Sequence, residues 1–128
     1  MQDNLLIISA NVNRQPSALI TILETTDASI LLIQEPSWGR LIPKKSDKDP
    51  EGIEVHGMCS HPRWRTILPV MTSDNPDPHV AIFLKTDLTD SMTYSILPDV
   101  NSYSCLGLHL DTDEPIFIIN YYHHVINK

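Results

Sequence analysis

The sequence predicts an α+β (α/β) fold built on a mixed β-sheet with a flanking helix. Three observations carry that expectation. Short aliphatic runs recur along the chain, at 5–8, 30–33 and 116–119. Residues 16–25 place Leu19, Ile20, Ile22 and Leu23 at helical spacing. The first two aliphatic runs enclose that stretch within 35 residues, which is the pattern of a βαβ unit with two parallel strands.

The elements follow in order. Residues 5–10 read as a buried strand, apolar on both faces. Pro16 suits a first helical turn, where its missing N–H costs nothing, and the helix ends at Thr25-Thr26-Asp27. Residues 29–34 form the second buried strand. In a βαβ unit, Asn11 to Asn13 and Glu35-Pro36 then emerge on one edge of the sheet, the edge where open α/β sheets bind ligands. Residues 36–52 hold three prolines, two glycines and most of the lysines, and predict a long loop. Short strands are expected at 53–58 and 65–71, the latter confined to an edge or broken by Pro69. A turn cluster occupies 73–78, and strands follow at 79–85, 93–97, 103–110 and 116–121.

A chain of 128 residues and 14.5 kDa suits one domain. Its 41% hydrophobic and 20% charged residues match a soluble globular average. The longest aliphatic runs are four residues, far short of the roughly 18 of a membrane span. The start, Met1-Gln2-Asp3-Asn4, lacks the basic segment of a signal peptide. Cys59 and Cys105 make no disulfide framework. The expected setting is intracellular, nuclear or cytoplasmic, with neither secretion nor membrane contact.

The net charge of −7 is unevenly spread: −3 over residues 1–39, +2 over 40–65 and −6 over 66–128. An acidic chain is a poor sequence-independent binder of nucleic acid, because that affinity comes from neutralising phosphates. The basic window holds Arg40, Lys44, Lys45, Lys48, Arg63 and Arg65 and reads first as a solvated surface loop, with a local contact for a phosphate backbone as the alternative. Arg63-Trp64-Arg65 offers charge and stacking to nucleic acid, or a tryptophan anchored in the core with its arginines in water.

Three strand ends carry the chemistry: Asn11-Val12-Asn13, Gln34-Glu35-Pro36 and Asn120-Tyr121-Tyr122-His123. A carboxylate beside amide oxygens is hard, oxygen-only chemistry, suited to Mg²⁺ or Mn²⁺ rather than zinc. Each residue also has a plainer use. Glu35 could be a solvated strand end, Asn11 and Asn13 cap or turn residues, and Tyr122 a half-buried strand-end aromatic. His123-His124 reads as a surface pair, since neighbours on extended chain point apart, and His56, His61, His79 and His109 show no metal spacing.

Ile7-Ile8-Ser9-Ala10-Asn11-Val12-Asn13, a short helix, and then Asp27-Ala28-Ser29-Ile30-Leu31-Leu32-Ile33-Gln34-Glu35-Pro36 resemble the opening of the endonuclease/exonuclease/phosphatase superfamily. Pro36-Ser37-Trp38-Gly39-Arg40, the Asp49-Pro50-Glu51-Gly52 loop, His61-Pro62-Arg63-Trp64 and Asn120-Tyr121-Tyr122-His123-His124 are similar to endonuclease domains of fungal LINE-type retrotransposons. The resemblance implies a DNase I-like, Mg²⁺- or Mn²⁺-dependent DNA phosphodiesterase on a four-layer αββα sandwich. It implies Glu35 as metal ligand, with Asn13 a weakened second metal contact where relatives often carry Asp. It further implies Asn11 as organiser of catalytic hydrogen bonds and Tyr122 as a phosphate contact.

The Gly-Asp-x-Asn and Ser-Asp-His motifs of the family's second half do not occur in residues 1–128. The expectation is therefore a truncated, retroelement-derived domain, catalytically incomplete because it lacks the base and the phosphate-binding histidine. Two alternatives stand beside it: an endonuclease completed by another chain, and a non-catalytic binding module. Half a sandwich should also leave its inner sheet face uncovered, exposing an apolar patch open to self-association.

Overall fold

The structure is a computed structural model and describes residues 5–37, 39–41, 55–57, 61–70, 77–102, 104–112 and 114–122. Lys44, Lys45, Lys48, the 49–52 loop, Cys59, the 73–76 turn and His123-His124 lie outside the described residues.

The first unit is the expected βαβ. Strand β1 (Ile7–Asn11) pairs in parallel with β2 (Ile30–Gln34), from Ile7 opposite Ile30 to Asn11 opposite Gln34. Helix α1 (Pro16–Thr25) connects them, with Pro16 in its first turn. Its N-cap, Gln15, makes no side-chain cap, and its end is set by Thr26, which turns to extended backbone while its N–H donates to the Ile22 carbonyl. Two short strands, β3 (Gly39–Leu41) and β4 (Val55–Gly57), pair antiparallel inside the stretch expected to begin as a long loop.

Strands β5 (Trp64–Ile67) and β6 (Val80–Lys85) complete the main sheet, with order β1-β2-β6-β5. Helix α2 (Thr86–Ser91) follows, and then β7 (Thr93–Ser102), β8 (Cys105–Asp111) and β9 (Ile116–Tyr121) form a second, antiparallel sheet. The α+β class with mixed and antiparallel sheets and few helices holds.

Side-chain alternation divides the core in two. On one face of the main sheet, Leu31, Ile33, Ala81 and Phe83 meet Leu19 and Leu23 of α1, with Trp64 beside them. On the other face, Ile30, Val80, Ile82 and Leu84 meet Leu106, Leu108, Leu110 and Ile118 of the second sheet. Strands β2 and β6 are therefore covered on both sides, which explains their continuous apolar runs. Each such side chain contributes roughly 1.5–3 kcal/mol by leaving water.

This arrangement corrects the expectation of an uncovered inner face. Ile30, Val80, Ile82 and Leu84 are 0% exposed, because β7, β8 and β9 supply a second sheet within the chain itself. Three layers (helix, sheet, sheet) are described. The apolar row left in water lies one layer further out, on the outward face of β9: Phe117, Ile119 and Tyr121 are 53–63% exposed. His109 stacks on Phe117 there, with ring centroids 4.8 Å apart.

A second correction concerns β1. It is exposed along most of its length, not buried, because it is the sheet's edge strand. Apolar composition shows that a strand can be buried on both faces but does not show its place in the sheet.

The second sheet has one tight point. Between the pairs Ile96–Leu108 and Asn101–Leu106, β7 bulges, and the extra residues fold over Gly107. A Cβ on Gly107 would overlap the Val100 side chain and come within 3.0 Å of Leu97 Cδ1. Glycine is required there for that close approach.

Candidate functional site

Pairing places four strand termini at one rim. β1 and β2 run parallel, so Asn11 and Gln34 end together. β6 runs the other way, so His79, just before it, lies next to Glu35, whose N–H donates to the His79 carbonyl at 2.8 Å. β9 brings Asn120 and Tyr122 over the same rim from the second sheet.

Asn120 joins the layers. It is 2% exposed. Its Nδ2 donates to the carbonyls of Ile33 and Ala81 at 3.0 and 2.9 Å, and its Oδ1 accepts from Gln34 Nε2 at 2.7 Å. A buried amide is retained only where its hydrogen bonds are met, and here each end is satisfied. Gln34 reaches on to the Ser9 hydroxyl at 3.0 Å, tying β1 to the same network.

Glu35 stands at the centre of the rim. Its Oε2 takes Nε of Arg14 at 2.7 Å and its Oε1 lies 2.9 Å from Nδ1 of His79. Tyr122 hydrogen-bonds the same carboxylate and stacks on His79 with rings 3° from parallel and centroids 5.5 Å apart. The Arg14 Nη2 lies 3.4 Å from His79 Nδ1. Arg14, Glu35, His79 and Tyr122 thus make one cluster of side chains drawn from four separate segments.

The backbone around it is unusual. Asn13, Arg14 and Glu35 have φ of 50°, 57° and 49°, and among the described residues no other non-glycine has positive φ. Left-handed conformation is common enough for asparagine, but for arginine and glutamate it is a strained choice. Hydrogen bonds hold it in place. The Asn11 Oδ1 accepts the Asn13 N–H at 2.8 Å, and the Arg14 N–H donates to the Glu35 carbonyl at 2.8 Å. Among the described residues this strain gathers at one rim, and such clustering accompanies functional sites.

Charge follows from these contacts. Burial pushes the Glu35 carboxyl up. The His79 hydrogen bond, the Arg14 charge, the Tyr122 hydrogen bond and the His79 charge together outweigh it, and the net shift is downward. The Tyr122 hydroxyl is pushed up, by desolvation first and then by its hydrogen bond to Glu35 and that carboxylate's charge. Because Glu35 is lowered in the folded state, its stabilising contribution is complete above the ordinary value of 4.5 and is lost as pH falls through the lower folded value. Urea unfolding from neutrality down to about pH 3 should show it: wild type loses its advantage over Glu35→Gln as acid is added, and the gap stays constant if Glu35 is unlinked.

Glu35 and Tyr122, both expected from the sequence, come together. Asn11 is exposed, and its side chain makes the turn that carries Asn13 and Arg14. Asn13 reaches the cluster through that turn, with no polar contact from its side chain to Glu35 among the described residues. Gln34 and Asn120 belong to the strand ends singled out in the sequence but had no individual role there, and Arg14 and His79 were not expected at the site. Arg14 is the single base in residues 1–39 and directly follows Asn13. Trp64 takes its plainer role, buried at 5% exposure while Arg63 and Arg65 face water.

As they stand, these residues do not fit an open divalent-metal site. Glu35 is the cluster's one carboxylate, and both its oxygens are engaged. Among the described residues no group of three or more His, Cys, Asp and Glu could hold a metal.

Among solved structures, the chain is similar to the endonuclease domain of TRAS1, a telomere-specific non-LTR retrotransposon, with a TM-score of 0.62 at 17% identity. The chain shares the fold of the matched part of that structure. The match covers 94% of this chain and 45% of that one, so the chain spans less than half the length of the endonuclease structure. No family model matches the sequence, and no curated protein matches it. Within this fold, the Arg14–Glu35–His79–Tyr122 cluster lies at the rim where the strand ends of both sheets meet. No helix among the described residues is long and apolar enough to cross a membrane.

Proposed function

We propose that the chain is a retroelement-derived, DNase I-like module related to Mg²⁺-dependent DNA phosphodiester hydrolases, and catalytically incomplete by itself. The observation that supports this most is the convergence of Glu35 with Arg14, His79 and Tyr122 at one strained rim of an endonuclease fold. In this reading Arg14 and Tyr122 present donors to a DNA phosphate, Asn11 builds the turn that aims Arg14, and Glu35 is the residue toward which Mg²⁺ or Mn²⁺ would be drawn, with Asn13 beside it. The substrate class is DNA, held weakly by a chain of net charge −7. The setting is intracellular, nuclear or cytoplasmic. Self-association would use the outward row of Phe117, Ile119 and Tyr121.

Incubation of supercoiled plasmid with the chain and Mg²⁺ tests the reading. The expected result is no nicking above background, together with weak, salt-sensitive binding of duplex DNA by fluorescence anisotropy. Metal-dependent turnover abolished by Glu35→Ala would overturn the incompleteness. Absence of DNA binding at low salt would overturn the DNA-facing role.

A further inference from the structure

We propose that Arg14 is a built-in counter-ion that closes the Glu35 carboxylate to divalent cations, so that metal binds at this rim only when the guanidinium is drawn away. The proposal rests on the nuclease-type reading of Glu35 and deepens it. Nε of Arg14 lies 2.7 Å from Oε2, where a cation would sit. A guanidinium is charged at every accessible pH, so it both fills the position and repels a second positive charge. Nδ1 of His79 lies 2.9 Å from the other oxygen, and Tyr122 adds a hydrogen bond, so both oxygens are already engaged.

The backbone makes this closure an arranged one. Arg14 is held at φ 57° by its N–H on the Glu35 carbonyl, in a turn set by Asn11. The guanidinium is thereby presented to the carboxylate of the same residue that anchors its backbone. Glu35 is nearly buried, with its side chain 11% exposed, whereas that of Arg14 is 35% exposed. The arginine can therefore swing into solvent without opening the core. An anion at the rim, such as a phosphodiester, would compete with Glu35 for that guanidinium. Phosphate and metal binding are then coupled, each freeing the partner the other needs.

Mn²⁺ is the probe. Its binding to the whole chain is followed by electron paramagnetic resonance for wild type, Arg14→Gln, Arg14→Lys and Arg14→Gln/Glu35→Gln, each first checked for native near-UV circular dichroism. Arg14→Gln is expected to bind Mn²⁺ at least tenfold more tightly than wild type, about 1.4 kcal/mol. Arg14→Lys keeps the charge and should stay near wild type, and the double variant should lose the gain. Equal, Glu35-dependent binding by wild type and Arg14→Gln overturns the closure while leaving a metal-binding Glu35. No binding by Arg14→Gln overturns both the closure and the metal role of Glu35.

Discussion

Replacing Trp64 by alanine is expected to lower the unfolding free energy by about 3–5 kcal/mol, the range for deleting a large aromatic from a core. Trp64 is packed among Leu23, Leu31 and Phe83 of the helix-side core. It also does something a leucine cannot. Its Nε1 donates to the Leu23 carbonyl at 2.8 Å, one of the last four carbonyls of α1, which have no partner within the helix. Deletion therefore leaves a cavity and strips a helix end at once. Lys85 Nζ, 5.7 Å from the ring centroid, loses its aromatic partner too. Typical domains are stable by 5–15 kcal/mol, so this one change removes a large share. Urea unfolding followed by far-UV circular dichroism measures it. Trp64→Phe should recover most of the packing but not the hydrogen bond, and a loss below about 1 kcal/mol for Trp64→Ala would show that the tryptophan is not an anchor.

Asn120→Leu is expected to cost about 3 kcal/mol, although leucine is similar in size and more apolar. The reason is what it leaves behind. The carbonyls of Ile33 and Ala81 each lose the Asn120 donor, and Gln34 Nε2, which keeps the Ser9 hydroxyl and the Leu32 carbonyl, loses its shortest bond. Three lost hydrogen bonds at about 0.5–1.5 kcal/mol each reach that figure. The effect should reach the rim, because Gln34 directly precedes Glu35 and Asn120 lies two residues before Tyr122. Urea unfolding gives the energy, and nuclear magnetic resonance shifts of His79 and Tyr122 report the rim. A variant as stable as wild type with unmoved His79 and Tyr122 signals would remove Asn120 from both roles.

The elements with a strong period were legible in the sequence. The expected helix over 16–25 coincides with Pro16–Thr25, since Pro16 fixes its start and Leu19 and Leu23 mark its buried face. Strands β6 and β9 were equally plain from their apolar runs. Helix α2 was not, because it has six residues and none of them is buried. β3 was not, because a three-residue strand in a glycine- and proline-rich stretch has too few positions to show alternation.

Layer order was the larger miss. The alternation of Leu106, Leu108 and Leu110 showed one apolar face but did not say what that face would meet. It meets Ile82 and Leu84 of the same chain. The site was half legible for a similar reason. Glu35 and Tyr122 sit in motifs, whereas Arg14 and His79 are 65 residues apart and are brought together by the pairing of β1 with β2 and of β2 with β6. Isolated polar residues carry no period, so the sequence offers no sign that they converge.

The seam held by Asn120 also sets a schedule for synthesis. The Ala81 carbonyl it caps leaves the ribosome 39 residues earlier, which at about 5–20 residues per second is a delay of roughly 2–8 s. Through that interval β2 and β6 have been made, but the strands that shield Ile30, Val80, Ile82 and Leu84 have not all emerged. The nascent chain must carry a naked greasy surface for seconds, long enough to meet a chaperone or another nascent copy. Yield in the cell should therefore depend on holdase supply more than the stability of the finished protein would suggest.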